Sequence, residues 1–513
     1  MLRALSRRAY WLIGVGFLIG ISAYHTPDAR AQNATAPSVA DLQQRVQDLE
    51  AVVRKLQDSP NLNAAPTAPV SLPSSSGVAA DSGPQAASEP VPLVAPVAGW
   101  NEGFYMQSPD KQFQLRITGQ LQADFRGFLD PTDTSTTTNG NVAGSPVTGA
   151  PDTFLIRRAR LGIEATMADY YEFRLLPDFA GSNISKSIAD AYMNVHYWDA
   201  LQFEFGKFKQ PFSYEQLIQD RYVPSMERSM MDQLVPQRDE GFMIHGEKLF
   251  CNRFDYAVAI SNGDPNDSIV DSNIHKDFNG RLVFRPFSDP ERWDALRGLQ
   301  FGIDGSVGVE NEALSTTSST TPIITTPATV TWFAYNTGVA ANGMRDRISP
   351  ELAYFYHSFG LCSQYYQQDQ ILQLTSHGAL VDVPVYGYYV LATYLLTGEE
   401  RTGYSQQIDP IHPFDPCAPL ASSGAWELLF RVDKLEVGPQ AFAAGLASNT
   451  GTLNRSSPAA TETTLGVNWY LSKWARAQIN WEHAEFASPI QIGNMGHALS
   501  SEDAIYTRFQ VIF

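Results

Sequence analysis

Residues 112–127 read QFQLRITGQLQADFRG and alternate without a fault. Phe113, Leu115, Ile117, Gly119, Leu121, Ala123 and Phe125 fall on one face of an extended chain. Gln112, Gln114, Arg116, Thr118, Gln120, Gln122, Asp124 and Arg126 fall on the other. A period of two is the signature of a β-strand with two different environments. The run is also longer than the about 9–11 residues with which a tilted strand crosses a bilayer. Similar alternation recurs at 154–166, 170–180, 187–198, 200–209, 239–249, 252–262, 277–286, 298–309 and 330–338. It continues at 347–358, 360–370, 386–397, 424–434, 463–471, 475–486 and 503–513. That makes 17 candidate strands. A single-chain bacterial barrel takes an even number, so one segment is miscast and the true count is 16 or 18.

A soluble sandwich also alternates, so composition has to decide. Charged residues make up 18% of the chain and aromatic residues 12%. About 25% charge is usual for soluble domains. Aromatic residues gather near strand ends (Tyr170, Tyr171, Tyr197, Trp198, Trp469, Trp474, Trp481), as in the interfacial girdles of outer-membrane barrels. The last strand places Phe509, Val511 and Phe513 on one face, the assembly signal expected for the barrel-assembly machinery. Tight turns near 167–169, 197–200 and 358–360 alternate with long polar segments, the asymmetry of such a barrel. The expected fold is therefore all-β: an antiparallel transmembrane β-barrel over 103–513, in the bacterial outer membrane.

The N-terminus reads differently. Arg3, Arg7 and Arg8 precede an apolar stretch, and Ala29-Arg30-Ala31 reads as a cleavage site, so 1–31 is expected to be a signal peptide. Its removal takes away four arginines and one acid and moves the net charge from −18 to −21. Such an acidic exported chain lacks the basic face a nucleic-acid binder needs. Within 39–57, Val39, Leu42, Val46, Leu49, Val53 and Leu56 are spaced 3, 4, 3, 4, 3, the a/d seam of a coiled coil. Residues 58–99, rich in Pro, Ala and Ser, predict a disordered linker. Of the three cysteines, Cys362 and Cys417 either pair or stay free.

Seven stretches in order carry a family resemblance: 154-FLIRRARLGIEA-165, 189-ADAYMNVHYW-198, 205-FGKFKQPFSYEQL-217, 226-MERSMMDQL-234, 388-YYVLATYLLTGEER-401, 424-GAWELLFRVDKLE-436 and 465-LGVNWYLSKWARAQINWEH-483. Together they resemble the porin O and P family of phosphate- and polyphosphate-selective outer-membrane porins. The resemblance implies a 16-stranded barrel, a homotrimer, and a third loop folded into the pore. It places that loop at 210–238, with a basic residue at Arg221.

Pore chemistry depends on charges facing the lumen and on the constriction. The segment 210–238 carries Arg221, Arg228 and Arg238 against Glu215, Asp220, Glu227 and Asp232, with Lys207 and Lys209 at its entrance. On the wall, period two puts Arg116, Arg126, Arg158 and Arg160 on lumen faces. The same count sends Leu155 and Arg157 outward. Arg174, Arg281, Arg285, Arg431 and Arg508 also lie on polar faces, as do Asp124, Glu164, Asp178, Asp190, Glu204 and Asp433. Such arginines either pass anions between weak sites or pair across strands and stiffen the wall. No metal-ligand spacing, nucleophile motif or phosphate-cradling loop is present, so neither enzyme chemistry nor a cofactor is expected. The leading expectation is a porin with anion, phosphate-like preference. The alternative is a general diffusion or structural protein whose coiled coil tethers it to peptidoglycan or a periplasmic partner.

Overall fold

The alternating run becomes a strand whose inside and outside are reversed relative to a soluble protein. Leu121 is 48% exposed, whereas its neighbour Gln122 is fully buried. Around the molecule Phe154, Met193, Phe205, Phe278, Phe301, Phe430, Leu465 and Ile479 are exposed. Asp124, Arg158, Asp304, Arg431 and Asn480 are buried. An apolar belt of this extent faces hydrocarbon, because water would penalise it at about 25 cal/mol per Å².

A computed structural model describes residues 96–100, 102–129, 152–180, 188–263, 274–289, 291–311, 323–374, 378–448, 456–492 and 497–513. The expected signal peptide, the coiled-coil seam and most of the linker lie outside the described residues. The linker's end needs correction, since β1 (Val97–Trp100) and β2 (Phe104–Gln107) form a hairpin. Trp100 orders it, packing its ring 4.5 Å from Phe104 and 5.2 Å from Trp474.

The wall runs through β3 (Phe113–Phe128), β4 (Thr153–Met167), β5 (Tyr171–Pro177), β6 (Ile188–Trp198) and β7 (Leu201–Lys209). It continues with β8 (Arg238–Lys248), β9 (Phe254–Ser261), β10 (Asp277–Phe284) and β11 (Gln300–Asn311). A separate small hairpin follows, β12 (Ile324–Thr325) with β13 (Thr331–Phe333). The wall resumes as β14 (Val339–Tyr356), β15 (Phe359–Leu374), β16 (Leu380–Leu395) and β17 (Ala425–Val437). It ends with β18 (Ala459–Ser472), β19 (Ala475–Ile492) and β20 (His497–Ile512). Each wall strand pairs antiparallel with the next, and β20 returns to β3, closing a 16-stranded barrel. The miscast segment is 330–338. Its apolar residues Trp332 and Phe333 face a packed interior instead of lipid, and both are fully buried.

Closure is local and specific. β2 pairs with Gln114–Ile117 and β20 with Gln120–Phe128, so the two share one edge of β3. Between them, the backbone of Phe513 exchanges hydrogen bonds of 2.7 and 3.0 Å with Gly119. The Phe513 ring covers Gly119 so closely that a Cβ there would lie 2.1 Å from it. Phe509 and Val511 point outward. Cys362 is buried, Cys417 is exposed, and both are free, so the suggested disulfide is absent.

The lumen is not uniformly open. Beside β14–β18 it is packed with apolar side chains: Phe355, Tyr366, Tyr389 and Leu435 from the wall, Phe212 and Met230 from the 210–237 segment, and Trp332 from the small hairpin. On the opposite end, the long connection after β16 also turns inward. Its Arg401 pairs with Glu427 and its Tyr404 hydroxyl lies 3.0 Å from that of Thr393, both residues buried. Cavities remain along β3–β8.

Candidate functional site: a constriction between an inward loop and an arginine wall

The segment between β7 and β8 enters the barrel because its apolar residues have a place to go. Phe212, Ile218, Met230 and Met231 are buried in the packed half of the lumen. A short helix, Tyr214–Leu217, opens it, and the Ser213 side chain accepts from the Gln216 amide at 3.3 Å. Lys209, at the end of β7, donates to the carbonyls of Gln216 (2.6 Å) and Ile218 (2.7 Å). The chain then crosses the lumen, where inward side chains of β17–β20 hold its carbonyls. Arg508 donates to Met226 (2.7 Å), Arg431 to Glu227 (2.7 Å), Arg476 to Val223 (3.2 Å) and Gln478 to Pro224 (2.9 Å). These three arginines are anchors for the loop.

Across the passage stand β3, β4, β5 and β8. Here the structure corrects the face assignment in β4. Gln122 pairs with Arg158 but Ala123 pairs with Ile156, so Arg157 is an extra residue in a β-bulge. Before the bulge the phase flips. Phe154 and Ile156 point outward, while Leu155 and Arg157 face the lumen. Arg157 donates to both carboxylate oxygens of Glu227, at 2.8 and 3.0 Å. Simple alternation cannot register an inserted residue, which is why both side chains were sent to lipid.

Two loop carboxylates gather the wall arginines. Glu227 meets Arg126 (2.5 Å), Arg157 (2.8 Å) and Arg508 (3.2 Å). Asp220 meets Arg228 (2.8 Å), Arg158 (3.4 Å) and Arg238 (3.9 Å), and is hydrogen-bonded by Arg160. Burial pushes both carboxyls upward, yet the guanidiniums outweigh it. Arg158, Arg228 and Arg160 hold Asp220, and Arg157, Arg508 and Arg126 hold Glu227, well below the ordinary carboxylate range. Both loop acids are therefore charged throughout the neutral range.

Asp220 separates two cavities. A loop-side chamber of about 420 Å³ is lined by Arg126, Arg157, Arg158 and Arg228 with Asp220, Glu227 and Asp232. A turn-side chamber of about 200 Å³ is lined by Arg160, Arg174, Lys209, Arg221 and Arg238 with Asp190, Glu204 and Asp220. Four basic residues face three acidic ones in the first chamber, and five face three in the second.

The sequence-predicted residues thus divide. Arg126, Arg158 and Arg228 line the loop-side chamber, and Arg160, Lys209, Arg221 and Arg238 the turn-side one. Arg116 and Lys207 line neither chamber. Arg116 donates its Nε to Glu164 at 2.9 Å, and Lys207 lies 3.7 Å from Glu240. Arg238 pairs with Asp190 at 2.6 Å. Arg221 differs from the other loop arginines. Its Nε donates to Gln219 (2.9 Å), its guanidinium lies 4.9 Å from the Tyr222 ring centroid, and among the described ion pairs it has no carboxylate partner. Sequence reasoning missed Arg157, and it weighed Asp220 and Glu227 only as contrary charges. Two acids seven residues apart, in a loop that follows an arginine-rich strand in the sequence, were the available signal.

The phosphate-selective porin O and P family model matches residues 116–511. Porin O of Pseudomonas aeruginosa is 22% identical over 433 residues, covering 80% of this chain and 91% of that protein. Among solved structures, the outer-membrane channel DcaP of Acinetobacter baumannii aligns with a TM-score of 0.48 at 10% identity, covering 80% of this chain and 99% of its own. The anion-selective porin of Comamonas acidovorans aligns with a TM-score of 0.46 at 12% identity, covering 78% and 100%. A closed 16-stranded barrel with an apolar outside, a polar passage and a family match over most of its length leaves one conclusion: this chain is an outer-membrane porin and belongs to the phosphate-selective porin O and P family.

Proposed function

We propose that the passage between residues 219–229 and the β3–β8 wall selects small anions, phosphate-like ions among them. The observation that carries this reading is a local excess of positive charge on both sides of Asp220, in a chain whose net charge is −18. The field at a narrow polar passage, with low-dielectric walls, is set by its own lining rather than by the whole molecule. Arginine suits this role because it stays charged and offers several donors to an oxyanion. Arg160 and Arg221 are read as the principal anion contacts on the turn side, Arg126 and Arg158 on the loop side. Arg228, Arg238 and Lys209 position the loop and add field.

The same reading has the chain working as a homotrimer. Phe509, Val511 and Phe513 serve as the assembly signal, and the 39–57 coiled coil holds protomers together or tethers them to peptidoglycan or a periplasmic partner. The test of selectivity is the double variant Arg160→Gln/Arg221→Gln in planar bilayers under a salt gradient. The zero-current potential moves toward cations if these residues select. An unchanged potential removes them, and the turn-side chamber, from the mechanism.

A further inference from the structure

The loop-side chamber has a wall that an inorganic ion does not need. Beside Arg126, Arg157 and Arg158 it is also lined by Leu155, on the same strand as Arg157 and Arg158, and by Val223 and Met226 of the loop. Leu155 is there only because the bulge at Arg157 reverses the phase of β4. An apolar side chain turned into a polar lumen breaks the strand's own pattern, and such departures concentrate where function requires them. The guanidiniums of Arg126, Arg157, Arg158 and Arg228 belong to the same lining, so strong donors and apolar side chains share one chamber.

A hydrated phosphate dianion fits this chamber poorly. It has no apolar surface to set against Leu155, Val223 and Met226, which offer nothing to replace its hydration. A carboxylate carried on a compact apolar or aromatic body fits both kinds of lining: it brings one charge, oxygens that accept from the guanidiniums, and surface to bury against Leu155, Val223 and Met226. We propose that the loop-side chamber is a binding station for small amphipathic organic monocarboxylates, which pause there before the constriction at Asp220. This rests on the anion-pore reading and narrows its substrate class.

The experiment uses the full-length chain in planar bilayers, with chloride carrying the current. Benzoate, acetate and phosphate are each added from one side as blockers. Benzoate is expected to reduce the chloride current at about tenfold lower concentration than acetate, which is about 1.4 kcal/mol from burying part of a phenyl ring. Leu155→Asn, and separately Met226→Gln, narrow that gap to about twofold. Equal potency of benzoate and acetate in the unmodified protein overturns the proposal. So does an undiminished gap in whichever of the two variants assembles. A pore without chloride preference in a simple salt gradient would instead bring down the anion-pore reading itself, by a readout independent of the blockers.

Discussion

Replacing Glu227 by glutamine removes one negative charge from the passage while keeping the side chain's shape. Glu227 is surrounded by Arg126, Arg157 and Arg508 and is held ionised by them. Of the two lining acids held firmly ionised, Asp220 and Glu227, only Asp220 then remains against four arginines. For an ion passing at roughly 8 Å, in a wet lumen of effective dielectric about 40, one added charge is worth about 1 kcal/mol. That corresponds to about fivefold in favour of anions, and by the same factor against cations. The change also leaves three guanidiniums short of a counter-charge. Breaking a buried pair costs about 3–5 kcal/mol, so the variant should denature at a lower temperature even as it becomes more selective. The assay is the zero-current potential in a tenfold potassium chloride gradient at neutral pH. A shift toward the chloride potential is expected. No shift, or one toward potassium, would refute the assignment of Glu227 to the ion path.

Other consequences are equally concrete. Burial, reinforced by Glu215 and opposed by Arg228, pushes Asp232 up to about 7. An acid with a raised value is neutral below it and charged above, so anion preference should fall as pH rises through about 7. The heat stability it contributes should be present below the ordinary 3.8 and lost as pH rises to about 7. Asp232→Asn should flatten that slope, and an unaltered slope assigns the titration elsewhere. Gly119→Val places a side chain inside the Phe513 ring, so closure of β3 on β20 should weaken by about 1–3 kcal/mol. Heat-modified gel mobility would report this, and unaltered thermal behaviour would contradict the seam. Deleting residues 32–95 should leave single-channel conductance unchanged, because the β1–β2 hairpin and the wall remain whole. Lost conductance with intact barrels would give the N-terminal segment a part in the pore.

How far the sequence could be read depended on what each strand faces. β3 was legible residue by residue, because lipid lies outside it and a wet passage inside, so alternation is complete. β16 was harder. Leu391, Tyr389 and Val385 are buried inside while Tyr388 and Tyr394 are exposed outside, so both faces are apolar and the period fades. The 330–338 segment misled for a related reason. A hairpin packed in the lumen buries Trp332 and Phe333 and shows the same local pattern as a spanning strand. The bulge at Arg157 left no mark in composition or period, since it exists only in the register between β3 and β4. The inward turn of Arg401 and Tyr404 likewise depends on partners far along the chain or across the sheet. The inward segment was placed at 210–238 by the family resemblance and its polar length, but which wall arginines meet Asp220 and which meet Glu227 is a property of the folded passage.

A chain that is acidic overall yet carries surplus guanidiniums wherever ions must squeeze through makes a plain forecast about the unmodified protein. Reconstituted in a planar bilayer with concentrated salt on one side, it should settle at a potential of the sign set by chloride, and phosphate added at millimolar concentration should reduce the chloride current. A potential of the sign set by potassium, with phosphate inert, would contradict the assignment of the β3–β8 passage as an anion path.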